Sequence, residues 1–416
     1  AQGGGFWPWR HKAAPASPPQ NGSGARASQP AAFSIPVEPL GFYAPGAFYQ
    51  GQRQSLVSLD FLDENRLLFT FRAPGLIHRA DPAEDDERQI RALVLTLPQG
   101  AIEAEALWTL YDRARYVWML NDGHFLLRDR DNLELGDATL ELKPLLHFPG
   151  PLLWLEMDPG QQYLVTDSRE SPAVAPAPGA VPSPDAAAAT LSTDKSEGAG
   201  QPDIVLRILH RSSGQVMLVS RVRTSVHLPI DGDGYLETLR STGTDWVLNL
   251  SYFSGGSRIL GKVQSTCALA LEFLSEQTAL ANTCDPGGGR RLVAVSTDGR
   301  HLWDADSPPT QVWPLLVMAP NGSRLARETL TVTHPVGAFS PLSFDDVKGQ
   351  LVEVYDAAGG KLALTAPASP VLDGGGNVAI SPSGRRVAVL HAGAIQVYEL
   401  PAPPALPRHQ SNHSAP

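Results

Sequence analysis

The feature that most constrains this chain is a pattern repeated along most of its length. A short apolar run is followed by a polar turn with Gly, Asp or Asn, and then by a second apolar run, which is typical of an antiparallel hairpin. No segment has the helical spacing i, i+3, i+4, i+7 over several turns with caps. The copies cover residues 58–71, 117–129, 154–167, 236–250, 269–282, 315–329 and 377–400. The pattern predicts an all-β protein with seven first hairpins.

The spacing of the copies indicates how the hairpins are grouped. It is roughly 35 to 60 residues, as in arrays of four-stranded units, and outer hairpins follow at 204–222, 294–305 and 351–365. A single four-stranded sheet has two apolar faces, and radial packing around an axis buries both. We therefore predict a β-propeller of about seven four-stranded blades over residues 33–400. The last copy has three strands, so the apolar segment at 33–48 is expected to supply its fourth.

Several copies resemble known propeller repeats. Residues 380–389 read ISPSGRRVAV and residues 395–398 read IQVY; residues 352–356 read VEVYD, and Trp303-Asp304 is a lone Trp-Asp pair. These residues are similar to β-propeller repeats of the WD-repeat, YVTN or TolB type. As architecture the resemblance covers roughly residues 50–400, and as sequence motif two or three blades. It implies a rigid platform that binds proteins or peptides, and no particular reaction.

Three stretches differ in composition from the patterned regions. They are rich in Gly, Pro, Ala and Ser and contain few large apolar residues, so they bury too little surface to offset the entropy of ordering. We expect a flexible N-terminal arm over 1–32, a disordered insertion within a blade over 170–202, and a flexible tail over 401–416. A linker between two domains is the alternative for residues 170–202.

Charge and hydropathy exclude some partners and suggest a location. The net charge of -10 and the absence of Lys/Arg runs exclude the basic footprint of a nucleic-acid-binding protein. No apolar stretch reaches the roughly 20 residues needed to cross a bilayer. The sequence begins with Ala1, as after removal of a signal peptide, although a trimmed sequence would begin in the same way. We expect a secreted or periplasmic monomer.

The two cysteines bracket one predicted hairpin. Cys267 and Cys284 enclose the segment CALALEFLSEQTALANTC. If residues 267–273 and 278–284 pair about a turn near Ser275, the two Cβ atoms lie roughly 4.5 to 5.5 Å apart. A disulfide between Cys267 and Cys284 is therefore expected in an oxidising compartment. Two reduced thiols inside a blade remain the alternative.

The motifs with known chemistry are incomplete. Residues 256–262 have the spacing of a phosphate-binding loop, but Val263 occupies the Ser/Thr position and the segment lies between strand-like runs. Residues 231–234 with Glu237 lack the remaining oxygen ligands of a calcium loop, and a β-turn before a strand explains them. The histidines are dispersed and no Gly-x-Ser-x-Gly elbow is present. We predict no catalytic, cofactor-binding or metal-binding residues, and no cofactor.

These observations favour a non-catalytic interaction platform for a protein, peptide or glycan. The alternative is an enzyme of the propeller class, of lactonase or lyase type, with its site in the central channel. Converging His, Asp, Glu or Arg side chains with perturbed ionisation at one channel end would favour the enzyme. A smooth apolar or mixed surface there would favour binding.

Overall fold

The computed structural model describes residues 29–45, 57–73, 87–111, 114–170, 203–220, 227–230, 233–336 and 342–404. Within these residues, 28 strands form seven four-stranded antiparallel sheets, and the only helical element is a 3-10 turn at Phe344–Asp346. The predicted all-β propeller of about seven four-stranded blades is confirmed. No helix of the described ranges has the length and hydropathy needed to cross a membrane.

The strands are numbered in chain order, and each blade is named by its sheet. β1 (Phe33–Pro36) belongs to blade 7. Blade 1 contains β2 (Val57–Asp63), β3 (Arg66–Arg72), β4 (Arg88–Thr96) and β5 (Ala101–Leu110). Blade 2 contains β6 (Val117–Met119), β7 (Phe125–Asp129), β8 (Asn132–Gly136) and β9 (Leu142–His147). Blade 3 contains β10 (Leu152–Met157), β11 (Tyr163–Glu170), β12 (Asp203–His210) and β13 (Val216–Ser220).

The remaining blades follow the same order. Blade 4 contains β14 (His227–Ile230), β15 (Gly234–Thr242), β16 (Asp245–Tyr252) and β17 (Ser257–Gln264). Blade 5 contains β18 (Ala270–Ser275), β19 (Thr278–Cys284), β20 (Arg290–Ser296) and β21 (His301–Ser307). Blade 6 contains β22 (Gln311–Met318), β23 (Arg324–Val332), β24 (Val347–Asp356) and β25 (Lys361–Ala368). Blade 7 is completed by β26 (Val378–Ile380), β27 (Arg386–His391) and β28 (Ala394–Glu399).

The hydrophobic core lies between neighbouring blades. In the second strand of blade 1, the consecutive residues Leu67, Leu68 and Phe69 are all fully buried. Successive side chains of a strand point to opposite faces, so both faces of this strand are covered. The outermost strand of the same blade is largely exposed, with Leu107 62% exposed. This gradient from the axis to the rim is expected when sheets pack face to face around an axis.

The ring closes through blade 7, which combines the two ends of the described chain. β1 pairs with β28, placing Ile35 opposite Ile395, so the expected contribution of the N-terminal segment to the last blade is confirmed. Arg386 in blade 7 donates a hydrogen bond to the carbonyl oxygen of Glu64 in blade 1 at 2.6 Å. The Glu64 side chain in turn accepts from the backbone N–H of Ser383 at 2.6 Å. Blades 1 and 7 are therefore joined by side chains as well as by packing.

Two details of the organisation differ from or refine the sequence-based expectation. The hairpin at 236–250 is the middle hairpin of blade 4, because β14 precedes it as the first strand. That strand has only four residues, one of them proline, so its pattern is too short to recognise. The stretch at 171–202 connects β11 to β12, which pair directly with each other. It therefore joins two strands of blade 3 and is not a linker between domains.

The flexible arm, the disordered insertion and the flexible tail remain predictions. Residues 1–28, 171–202 and 405–416 lie outside the described residues. Residues 33–400 contain all seven sheets.

Candidate functional site

Three of the first strands carry the same short motif, which consists of leucine, an acid, and then phenylalanine or methionine. The motif occupies residues 59–61 in blade 1, 155–157 in blade 3 and 271–273 in blade 5. In each copy the leucine is buried, whereas the acid is partly exposed. The acids are Asp60, Glu156 and Glu272.

The strand register places the three acids at corresponding positions. Each acid is paired with a buried apolar residue of the second strand, and the residue that follows the acid forms the next pair toward the turn. The pairs are Asp60 with Leu68, Glu156 with Val165, and Glu272 with Leu280. Each first strand has a partner on one side only. Its other edge faces the propeller axis. The three acids therefore lie at one level of the channel wall.

Electrostatic contacts between different blades show that the acids share the central channel. Arg115, which lies two residues before β6 of blade 2, lowers the pKa of Asp60, Glu156 and Glu272. The charge of Glu272 also raises the pKa of Glu156. First-strand contacts run from blade 3 to blade 4 and from blade 4 to blade 5, so blade 4 separates the two glutamates around the ring. Their charges therefore interact across the axis.

Burial is the main cause of the altered acidity at this site. It raises the pKa of Asp60, opposed by a 2.5 Å hydrogen bond from the Ser58 hydroxyl and by Arg115. Burial and the like charge of Glu272 raise the pKa of Glu156 well above its ordinary value. Burial raises the pKa of Glu272 to about 7, with Arg115 opposing the shift. The glutamates therefore retain protons in a pH range where exposed glutamates are ionised.

The arginine of the cluster is fixed at the channel-facing edge of blade 2. Its Nε donates a 3.0 Å hydrogen bond to the carbonyl oxygen of Val117. The carbonyl oxygen of the preceding residue, Tyr116, accepts a hydrogen bond from the second strand of the blade. Because successive carbonyls of a strand point in opposite directions, the Val117 carbonyl points toward the other, channel-facing edge. The Arg115 guanidinium carbon also lies 5.2 Å from the ring centroid of Trp118, a cation–π distance. One cation therefore stands beside three acids.

The arrangement limits the chemistry that the channel can perform. Across the described ranges, no group of three or more His, Cys, Asp or Glu side chains is arranged to hold a metal ion. The acids can instead accept hydrogen bonds from a larger cation, such as an ammonium or guanidinium group. A protonated carboxyl can also donate a proton to a substrate.

The structure places the predicted cysteine pair at the start of blade 5, the blade that carries Glu272. The Sγ atoms of Cys267 and Cys284 are 2.11 Å apart and their Cα atoms 5.5 Å apart. The Ser265 hydroxyl accepts a hydrogen bond from the Cys284 N–H at 3.0 Å and donates one to the Cys267 carbonyl oxygen at 2.8 Å. The pair is located where the chain enters blade 5. Its oxidation in solution stays a prediction.

The motifs that the sequence analysis set aside have ordinary structural positions. Residues 256–262 form a turn and the beginning of β17, the outer strand of blade 4. This is the strand context that argued against a phosphate-binding loop. Of the calcium-like segment, Asp231 and Gly232 lie outside the described residues, and β15 begins at Gly234.

Sequence reasoning missed the acids, although the signal was present. Each of them is a single polar residue in an alternating strand, which by itself predicts a solvated face. The informative feature is the repetition of one acid between the same neighbours in three first hairpins. Arg115 has no comparable signal, because it lies before a three-residue strand.

No protein-family model matches the chain, and no curated protein matches it. Among solved structures it is similar to the uncomplexed acylaminoacyl peptidase of Pyrococcus horikoshii, with 11% identity, 85% coverage of this chain and a TM-score of 0.48. The chain spans about half of that peptidase, at 52%. It is also similar to a chain of a mitotic checkpoint complex, with 11% identity, a TM-score of 0.45 and coverage of 96% and 99% of the two chains.

A third similar structure is a TolB-like protein from Agrobacterium tumefaciens. The identity is 13%, the TM-score is 0.41, and the match covers 71% of this chain and 94% of the other. Likenesses at this level assign no activity to the chain.

Proposed function

We propose that this protein is an exported propeller that binds a positively charged group of a protein or peptide partner in its central channel. The observation that carries the proposal is the level of three acids, Asp60, Glu156 and Glu272, around a single arginine, Arg115. These four groups comprise three acids and one fixed positive charge.

A lysine or arginine side chain fits this arrangement for two reasons. Its long apolar stem can enter a narrow channel while the charged end reaches the acids. An ion pair in a partly desolvated site is also stronger than one on an open surface. The formal net charge of -10 favours the approach of a basic partner.

Export is supported by the position of the cysteines. The chain brings its only two cysteines to bonding distance, and disulfides persist mainly in oxidising compartments. Fractionation of the source cells with an antibody against this chain tests the location. Recovery in the cytosol alone would contradict export.

The binding test uses fluorescein-labelled hexalysine and the same peptide with acetylated side chains, followed by fluorescence anisotropy. We expect only the charged peptide to bind well. The double variant Glu156→Gln/Glu272→Gln should weaken binding by about tenfold or more, as expected for the loss of charge-assisted contacts.

A matched control changes the same charge elsewhere. Glu103 and Glu105 lie on the exposed outer strand of blade 1, and Glu103→Gln/Glu105→Gln should change binding less than about twofold. Equal losses in the two double variants would show that the peptide binds the acidic surface in general, and the channel proposal would fail.

One observation favours the enzyme alternative as a second candidate. The convergence of acids and an arginine with raised carboxyl pKa values is the pattern expected of a catalytic channel. Glu272, with its pKa near 7, has the acidity of a general acid at neutral pH. Turnover of a panel of lactones and uronate-containing glycans, abolished by Glu272→Gln, would establish this candidate. Absence of turnover together with tight peptide binding would exclude it.

A further inference from the structure

A buried acid in blade 6 lacks the partners that normally accompany a charge. Glu328, on β23, is 1% exposed, and its Oε1 accepts a hydrogen bond from Gln350 Nε2. Its Oε2 is buried and has no hydrogen-bond partner among the described residues, and the same holds for Oδ1 of Asn377. The Asn377 side chain is close enough to influence the pKa of Glu328. A proton on the Glu328 carboxyl would supply the donor that Asn377 Oδ1 lacks.

The same cluster fixes the segment that leads from blade 6 to blade 7. This connector, residues 369–377, runs between β25 and β26. Gln350 Oε1 accepts hydrogen bonds from Leu372 N and from Asn377 Nδ2, both at 2.9 Å, and Gln350 Nε2 donates to Leu372 O at 2.8 Å. Asn377 Nδ2 also reaches Pro370 O at 3.3 Å. The connector is therefore held by the Gln350 side chain of β24, which in turn donates to Glu328 on β23.

The connector also packs closely against the first strand of blade 1. Gly376 has a φ of +101°, and a Cβ atom at this position would lie 1.9 Å from the carbonyl oxygen of Val57. Val57 begins β2, the first strand of blade 1, which carries Asp60. A displacement of the connector would therefore alter the packing of the strand that presents one of the channel acids.

We propose that the 369–377 connector is a latch held by a proton on Glu328, and that loss of this proton to solvent releases the connector from blade 6. In the closed state the carboxylic acid donates to Asn377 and accepts from Gln350. After ionisation both oxygens need donors, and Asn377 Oδ1 cannot supply one. The buried carboxylate is then stabilised only by moving toward water.

Among the described residues, no charged group lowers the pKa of Glu328. Burial raises the pKa of Glu328 to about 8, and the Asn377 side chain opposes part of this rise. On β23 and β24, Arg327 and Glu353 pair with each other on the opposite face of the sheet. Lys348 is exposed near the start of β24.

Two further titratable groups belong to the connector and its contacts. Asp373 lies within the connector. His391 interacts through its Nδ1 with the Ser369 hydroxyl at 3.1 Å. Neither contributes to the pKa of Glu328.

The test is hydrogen–deuterium exchange of the full chain from pH 6 to pH 9.5, corrected for the intrinsic effect of pH on amide exchange. Because the pKa of Glu328 in the closed state is about 8, exchange in the connector should accelerate by about tenfold for each pH unit between pH 6 and pH 8 and level off at higher pH. The outer strands of blades 1 to 4 should show no such acceleration. A connector with no acceleration, or acceleration of equal size in every blade, would overturn the proposal.

Two variants identify the group responsible. Glu328→Gln keeps the shape but cannot ionise, so it should abolish the acceleration. Asp373→Asn removes the carboxyl of the connector itself and should leave it unchanged. Acceleration that persists in Glu328→Gln, or disappears in Asp373→Asn, would refute the assignment. If Glu328→Gln does not fold, the wild-type profile still decides, because the latch requires a local transition near pH 8.

Discussion

The junction between blades 6 and 7 depends on a buried arginine, and replacing it with methionine should destabilise the protein strongly. Arg324 is 2% exposed. Its Nε donates to Asp356 Oδ1 at 2.8 Å, and its two terminal nitrogens donate to Gly384 O at 2.6 Å and Pro401 O at 2.9 Å. One side chain thus links β23 to its own blade, to the turn of blade 7 and to the segment after β28.

The expected magnitude follows from what Arg324→Met leaves behind. Asp356 is 8% exposed, and an ion pair broken from one side in such a setting costs about 3 to 5 kcal/mol. The two carbonyl oxygens also lose charged donors, each a contribution of about 1 to 3 kcal/mol where water cannot replace it. We expect a net loss of about 3 to 5 kcal/mol in the free energy of unfolding, since the carbonyl near Pro401 is only partly buried.

The assay is urea unfolding followed by tryptophan fluorescence, with Arg300→Met as the matched control. Arg300 pairs with Asp298 at 2.9 Å, but the side chains are 59% and 45% exposed, so its loss should cost less than about 1 kcal/mol. The double variant Arg324→Met/Asp356→Leu should recover much of the stability, because no buried charge is left unpaired. A single variant as stable as the control, or a double variant no better than the single, would refute the reasoning.

Three further outcomes are expected. Reduction of the disulfide between Cys267 and Cys284, which are 17 residues apart, should lower the free energy of unfolding by about 3 kcal/mol. Melting curves with and without dithiothreitol measure this effect. Alkylation of both thiols before reduction would show that no bond forms. In the closing strand β1, Ile35 is 3% exposed, and Ile35→Asp should lower the free energy of unfolding in urea by about 3 kcal/mol or more. The control Tyr43→Asp, at a position that is 65% exposed, should leave this free energy nearly unchanged. Similar losses in the two variants would contradict the role of β1. The pKa of Glu272 is raised to about 7, so the folded state binds the proton more tightly than the unfolded state. This contribution to stability is complete below about pH 4.5 and is lost as the pH rises to about 7; Glu272→Gln should flatten the change in urea midpoint between pH 5 and pH 8, and an unchanged slope would argue against the shift.

The parts of the fold that the sequence could predict are those with local signals. The hairpin at 377–400 has alternating apolar residues and a Gly turn, and Gly384 adopts a φ of +72° there. All seven hairpins form where the pattern predicts them, and six of them are the first hairpins of their blades. The strand β14 is not predicted by the pattern, because it has only four residues and one of them is proline. Its place in the sheet therefore depends on its partners and not on its own sequence. Interactions between blades are not predictable for the same reason, as with Arg386 and Glu64, which are 322 residues apart.

The candidate site could not be predicted from the sequence because it is formed by residues of different blades. Asp60, Glu156 and Glu272 are 96 to 212 residues apart in sequence, by subtraction of their numbers, and only the closed ring brings them to one channel. The raised pKa of each depends on burial that the local pattern does not contain. Arg115 is recognised as part of the site only in the folded structure, where its charge acts on acids of three other blades.

A comparison between blades argues that the channel acids are not required by the fold. The first hairpins of blades 3, 6 and 7 have the same length, and their registers place Glu156, Val317 and Ala379 at equivalent positions. Blades 6 and 7 thus form the same structure with an apolar residue where blade 3 has an acid. A partly buried carboxyl is less favourable there than an aliphatic side chain. An unfavourable residue repeated in three blades, all facing one channel, is what the proposed binding of a cationic group would explain.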